Sequence, residues 1–359
     1  MSDEPCTRIF LFSHLRTRSN LFMRLLETHP RVMARLYPFK DAFMNGPECQ
    51  NAISTKQGRA TAVGKSMKEF EETFADTTFQ AGLDAMEKTI AEAESEIAVI
   101  KEHTCFMLDS NIINGNVYCD REEKPRPVII DHRLDIQRYE NKENGVPHHV
   151  QRTEFPLPNP TLLPDRIIST LQPVIIIRHP SYTFPSALRA SSSYGANVFD
   201  PDFAIIASFR WQRIVFDFYR EYCERGRKLS CGRERWPIVV DGDKLINDTK
   251  GQMTKFCQIV GLEESDIRYS WDPHYVKRNA VWDAFTKIAE ESTGVIKTLC
   301  VSRHIMIISL ITFAKDSSLD VEEHMKKWTE EWDESVAQQL KKAVEASMED
   351  YEYLLKYSI

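Results

Sequence analysis

Residues 8–26 read RIFLFSHLRTRSNLFMRLL. A short apolar run gives way to a turn packed with Arg, Thr, Ser and Asn, and then to an apolar pattern at helical spacing. The run 9–12 predicts a buried strand, and Leu21, Phe22, Leu25 and Leu26 predict the core stripe of a helix. Between them, residues 13–20 would aim backbone N–H groups, hydroxyls and the guanidiniums of Arg16 and Arg18 at an anion on the helix N-terminus. Most phosphate loops carry glycine and a G-K-[ST] tripeptide. This one has neither, which argues against an ordinary ATPase or GTPase.

The pattern repeats along the chain. Apolar, mostly β-branched runs at 97–100, 174–177 and 238–240 join 9–12, each bounded by charge, Pro or Gly, as expected of strands buried on both faces of a parallel sheet. Amphipathic helical patterns lie between them at 69–95 and 203–225, and a short one at 252–260 is closed by Gly261. Alternating β and α over this length implies an α/β fold with a doubly wound, mainly parallel sheet flanked by helices. We read 1–359 as one domain. The polar, Pro-rich stretch 119–166 is expected to wall a substrate pocket, with a solvated surface excursion as the competing reading, and the charged, amphipathic segment 319–359 to be a C-terminal covering helix.

Composition narrows the classes. The chain is 42% hydrophobic and 28% charged, as in an ordinary globular protein, and its net charge of −7 offers no general footprint for nucleic acid. Its longest apolar run, 305–313, is too short for a bilayer and reads as a buried helix, so no membrane is expected. No charged-then-apolar leader is visible, and the eight cysteines are scattered without a C-x-x-C pair. They read as reduced packing thiols in a cytoplasmic protein.

Two further segments carry chemistry. In VIIIRHPSYTFPS (174–186) a strand ends at Arg178 and a helix brings Ser186 eight residues later. Open α/β sheets bind ligands at the carboxyl ends of their strands, where Arg178 can grip a phosphate bidentately and Ser186 can add a hydroxyl. An ion pair capping the sheet edge is an equally good reading of Arg178 taken alone. In IAVIKEH (97–103) Lys101 and His103 lie two apart, on one side of an extended chain. A histidine there is placed to take a proton from an acceptor hydroxyl.

In combination the three segments resemble the sulfotransferases that use 3′-phosphoadenosine 5′-phosphosulfate (PAPS), over roughly residues 8–290. Leu15-Arg16-Thr17-Arg18-Ser19-Asn20 matches that family's P-[KR]-[ST]-G-[ST]-T loop, Lys101-Glu102-His103 its K-x-H, and Arg178-His179-Pro180 with Ser186 its R-[NH]-P followed by serine. VVDGDKLINDTKGQMTKFCQIVGL resembles its later strand, acidic-Leu segment and short helix, and KRNAVWDAF (277–285) is faintly similar to its last element. The resemblance implies a P-loop-like fold and sulfuryl transfer from PAPS to a small-molecule acceptor without a metal. His103 would be the base, Arg16 and Lys101 would stabilise developing charge, and Arg16, Thr17, Arg18, Ser19 and Asn20 would hold the 5′-phosphate. Phe22 would contact the adenine, and Arg178 and Ser186, with Arg278 a weaker addition, would recognise the 3′-phosphate. The chain departs from the pattern at Leu15, Arg18 and Asn20, which replace proline, glycine and threonine, and it lacks the C-terminal glycines.

Weaker signals remain. Residues 128–131 (VIID) look like a Walker B strand or a plain strand end, and His132 with His148 and His149 is either a metal-binding group or, as their loop context and lack of metal-ligand spacing favour, a set of solvated histidines. Tyr194, His132, Phe39, Phe43 and Trp282 line an acceptor pocket or simply pack. Two alternatives stand beside the sulfotransferase reading: a nucleotide-dependent kinase or NTPase with an irregular phosphate loop, and a repurposed protein of the same fold that binds an anionic ligand.

Overall fold

A computed structural model of the chain describes residues 7–49, 55–93, 96–117, 126–132, 155–200, 203–227, 236–277, 280–296 and 321–359. The four expected runs are strands: β1 is Arg8–Ser13, β3 is Ile97–His103, β4 is Gln172–Ile177 and β5 is Ile238–Asp241. A fifth, β2 (Val32–Leu36), lies at one edge. All pair in parallel, in the order β2-β3-β1-β4-β5. β1 is therefore central, and Ile9 to Phe12 are wholly buried.

Helices cover both faces of this sheet. Phe10 and Phe12 join one core with Leu83 and Met86 of the helix Phe79–Glu92, Phe216 and Tyr219 of Arg210–Arg227, and Leu340 and Val344 of Glu334–Leu355. Ile9 and Leu11 point the other way, into a second core with Phe22, Leu25 and Leu26 of Ser19–Glu27 and Met253 and Phe256 of Thr249–Val260. Period-2 alternation in one strand thus feeds two hydrophobic layers, which is what a doubly wound sheet requires.

Several elements differ from expectation, each for a local reason. The pattern at 69–95 is two helices, Met67–Phe74 and Phe79–Glu92, because Thr78 caps the second by accepting from the amide of Ala81. The pattern at 203–225 breaks between Phe203–Ile206 and Arg210–Arg227, where the amide of Phe209 donates to Ser347 Oγ at 2.8 Å. The helix at 252–260 begins earlier, at Thr249, and ends at Gly261, whose φ of 76° is the left-handed cap expected of glycine. The C-terminal segment is two helices, Val321–Glu331 and Glu334–Leu355, and the second buries Ala337, Leu340, Val344, Tyr351 and Leu354 instead of only lying on the surface. Residues 128–131 are not a strand: Asp131 is a bidentate partner for Arg166, at 2.6 and 2.8 Å, and Val128 is exposed. The apolar run 305–313, most of 119–166 and the pair His148-His149 lie outside the described residues. Among the described residues no helix is long and apolar enough to cross a membrane.

Candidate active site

The carboxyl ends of β1, β3, β4 and β5 meet at one edge of the sheet, and the chain leaving each brings charge there. After β1, the loop passes through Arg16 and Arg18, both at φ 64°. The left-handed region costs a non-glycine residue roughly 1–2 kcal/mol, so these positions are held by their contacts. Arg16 donates from Nε to Ser186 Oγ at 2.9 Å and from Nη1 to the carbonyl of Phe285 at 3.1 Å. Arg18 donates to the carbonyl of Gly242 at 2.9 Å and to Asp243 at 2.7 Å. Arg18 is also the N-cap residue of Ser19–Glu27, and no side chain caps that helix, so its first N–H groups and positive dipole end face the loop.

Arg178, one residue beyond β4, enters the same cluster. Its Nε reaches Asp243 at 3.1 Å, its Nη1 the carbonyl of Arg16 at 3.3 Å, and its guanidinium lies over the ring of Tyr182 at 5.2 Å. Burial, and next the neighbouring Arg178, lower the pKa of Arg16 to about 10, and the same two causes lower that of Arg18 to about 10. Arg18 and Arg178 share the carboxylate of Asp243, whereas Arg16 is held by the Ser186 hydroxyl and the Phe285 carbonyl. An edge so short of negative charge is suited to a polyanion.

β3 supplies the chemistry beside it. Ser13 and His103 are register partners in the β1–β3 pair, and Ser13 Oγ lies 2.8 Å from His103 Nδ1. The Ser13 hydroxyl also lies 3.0 Å from the carbonyl of Glu102, and when it donates there the imidazole donates to it from Nδ1. In that tautomer the lone pair is on Nε2. Burial, then the charges of Lys101 and His14, hold the His103 pKa well below 6.5, so the ring is neutral and able to accept a proton.

Lys101 is wholly buried beside it. Its Nζ donates to the Tyr37 hydroxyl at 2.6 Å and to Asn20 Oδ1, and Tyr37 itself donates to Asn20 at 3.0 Å. Burial brings the Lys101 pKa down to about 7, against the pull of Glu102 and Glu27. The Tyr37 ring sits 5.0 Å from that of His103 and the residue adopts φ 54°, a strain of the kind that collects at functional sites. Glu102 points to the opposite face, where its carboxylate accepts from the amides of Phe39 and His103, and burial raises its pKa to about 7.

The structure thus gathers Arg16, Arg18, Arg178, Ser186, Lys101 and His103 at one sheet edge. Other expected residues lie differently. Phe22 is 1% exposed and packs edge-on against Phe256 in the core, so it does not reach the edge as an adenine contact would. The Thr17 hydroxyl is turned inward, donating to the carbonyl of His14 at 2.8 Å, which leaves its backbone N–H as its means of meeting an anion. Asn20 holds Lys101 in place. Ser19 is buried in the first turn of its helix. Phe39 and Phe43 are buried and stack on Phe79 and Phe106, so they pack and do not line an open pocket. The Trp282 ring carries Lys40 Nζ at 3.8 Å, and His132 is exposed. Arg278 lies outside the described residues, as does the side chain of Tyr194. Sequence reading missed Ser13, Tyr37 and Asp243, although Ser13 ends a strand and Asp243 follows one, both legible signals.

A parallel sheet that converges cations, a helix N-terminus and a neutral imidazole at its carboxyl edge is an α/β arrangement suited to group transfer on an anionic ligand. No family model matches the chain. It is 25% identical to Sulfotransferase ppzF of Metarhizium majus (strain ARSEF 297), over 97% of this chain and 95% of that protein. It is 24% identical to the protein of the same name from Metarhizium rileyi (strain RCEF 4871), over 97% and 94%. The chain is thus similar, end to end, to proteins named sulfotransferase. Among solved structures, the sulfotransferase domain of the Synechococcus PCC 7002 olefin synthase covers 82% of this chain and 87% of its own length at 14% identity. Its TM-score of 0.36 is too low to bear on the site.

Proposed function

We propose that this sulfotransferase moves a sulfuryl group from PAPS to the hydroxyl, or amine, of a small-molecule acceptor, with His103 as general base. The observation that carries the reading is the Ser13–His103 hydrogen bond, at the same sheet edge where Arg18 and Arg178 converge on Asp243 and Arg16 on Ser186.

The donor would supply a sulfuryl group already activated on a phosphate leaving group. The protein's part is then positioning and charge stabilisation, as in phosphoryl transfer. His103 Nε2 takes the acceptor proton. Arg16, fixed by Ser186 and Phe285, neutralises charge developing on the leaving oxygen, and Lys101 in its cationic form adds to this. The loop N–H groups, Arg18 and the helix N-terminus at Ser19 and Asn20 hold the 5′-phosphate. Arg178 holds the 3′-phosphate with Ser186, whose hydroxyl accepts from Arg16 and so keeps its own proton for an anion.

Calorimetry with 3′,5′-adenosine bisphosphate, 5′-AMP and ATP–Mg²⁺ tests the assignment. The bisphosphate is expected to bind tightest, and Arg178→Ala to weaken it by about 1.5–3 kcal/mol, the range for hydrogen bonds to charged groups. Equal affinity with and without the 3′-phosphate would remove the basis for this donor, and a preference for ATP–Mg²⁺ would favour a kinase.

A further inference from the structure

The Asp243 carboxylate occupies the place between Arg18 and Arg178, 2.7 and 3.1 Å from their nitrogens. It is not a loosely held surface group. Its own amide donates to Asp241 Oδ1 at 2.7 Å, and its second oxygen lies 3.4 Å from the amide of His179. Gly242 presses this segment onto the phosphate loop so closely that a Cβ there would stand 2.4 Å from the carbonyl oxygen of Thr17. Arg18 adopts a left-handed backbone that glycine would take without strain, and its side chain spans from the loop to Gly242 and Asp243. The loop and β5 are thus clasped through an internal anion.

We infer that Asp243 is a specificity-determining residue: an internal competitor, seated between Arg18 and Arg178, that sets how tightly a phosphorylated ligand is held there. The ligand's two phosphates and this carboxylate carry like charge and seek the same two guanidiniums, so the carboxylate must yield as the ligand binds. Tight product binding is relieved by such a competitor, which re-forms its ion pairs as the phosphate leaves. The inference rests on the nucleotide reading above only for the identity of the ligand.

The test uses the full-length wild type, Asp243→Asn and the independent replacement Asp243→Ser. Each is titrated by calorimetry with 3′,5′-adenosine bisphosphate and, separately, with inorganic pyrophosphate, and melted to confirm folding. We expect both variants to bind the bisphosphate roughly tenfold tighter or more, as removal of one close like charge implies. The gain should shrink as salt is raised. A gain for pyrophosphate alone upholds the competitor role while removing the nucleotide assignment. Unchanged or weaker binding of both probes by the folded variants overturns the inference. So does the absence of binding by all three proteins, or failure of both variants to fold, which would make Asp243 a structural clasp only.

Discussion

Lys101 is a buried amine between a phenol and an amide oxygen, and that setting fixes how the site responds to pH. Burial lowers its pKa to about 7, so in the free enzyme the cation is present below that value and lost above it. kcat/KM should therefore fall above about pH 7, and Lys101→Arg, which keeps its charge, should flatten this basic limb in a pH–rate profile. The unfolded chain holds the same proton up to about pH 10.4. It binds more protons than the folded protein across the intervening window, so this group's contribution makes stability rise between about pH 7 and 10. His103 yields a sharper expectation. His103→Ala should fold, still bind 3′,5′-adenosine bisphosphate, and lose roughly 10²–10⁴-fold in turnover, as removal of a positioned base does. A folded variant with near wild-type turnover would place the base elsewhere. The two-residue spacing made Lys101 and His103 legible in sequence, because strand periodicity puts them on one side. Asp243 was not, because its meaning depends on Arg18, 225 positions away.

At the scale of elements, the segment joining β5 to its following helix is the tightest join in the site. Gly242→Ala would drive a methyl into the Thr17 carbonyl. Overpacking of this kind typically costs about 1–3 kcal/mol, and urea unfolding should show that loss together with weaker nucleotide binding. Unchanged stability and affinity would mean that the loop gives way freely. The apolar strands were readable because both their faces are buried. β2 was not: VMARL is half-buried or exposed along its length, and its pairing with β3 comes from position rather than hydrophobicity. The helix interruptions at Thr78 and Phe209 also escaped, since an amphipathic stripe continues across a cap. Phe22 had two compatible readings, and the core stripe won because its register faces Phe256.

Across the whole molecule, the cations gathered at the sheet edge come from the ends of β1, β3 and β4, and the proposed donor would carry a leaving group activated before it arrives. Turnover should consequently persist in EDTA. Loss of activity there, restored by a divalent ion, would favour phosphoryl over sulfuryl transfer. Alternation of strand and helix announced this architecture, whereas the acceptor pocket was not legible, because neither the spacing of the aromatics nor their type distinguishes packing from binding.

The placement of β1 at the centre of the sheet has a consequence during synthesis. Its partners are far along the chain: Ile9 pairs with Val99 on one side and Gln172 on the other. At roughly 5–20 residues per second on the ribosome, the first strand waits on the order of ten to thirty seconds before its second neighbour exists. During that interval an apolar segment with unpaired backbone is open to wrong partners. The loop carrying Arg16 and Arg18, which hangs from that strand, takes shape only once β4 has been made.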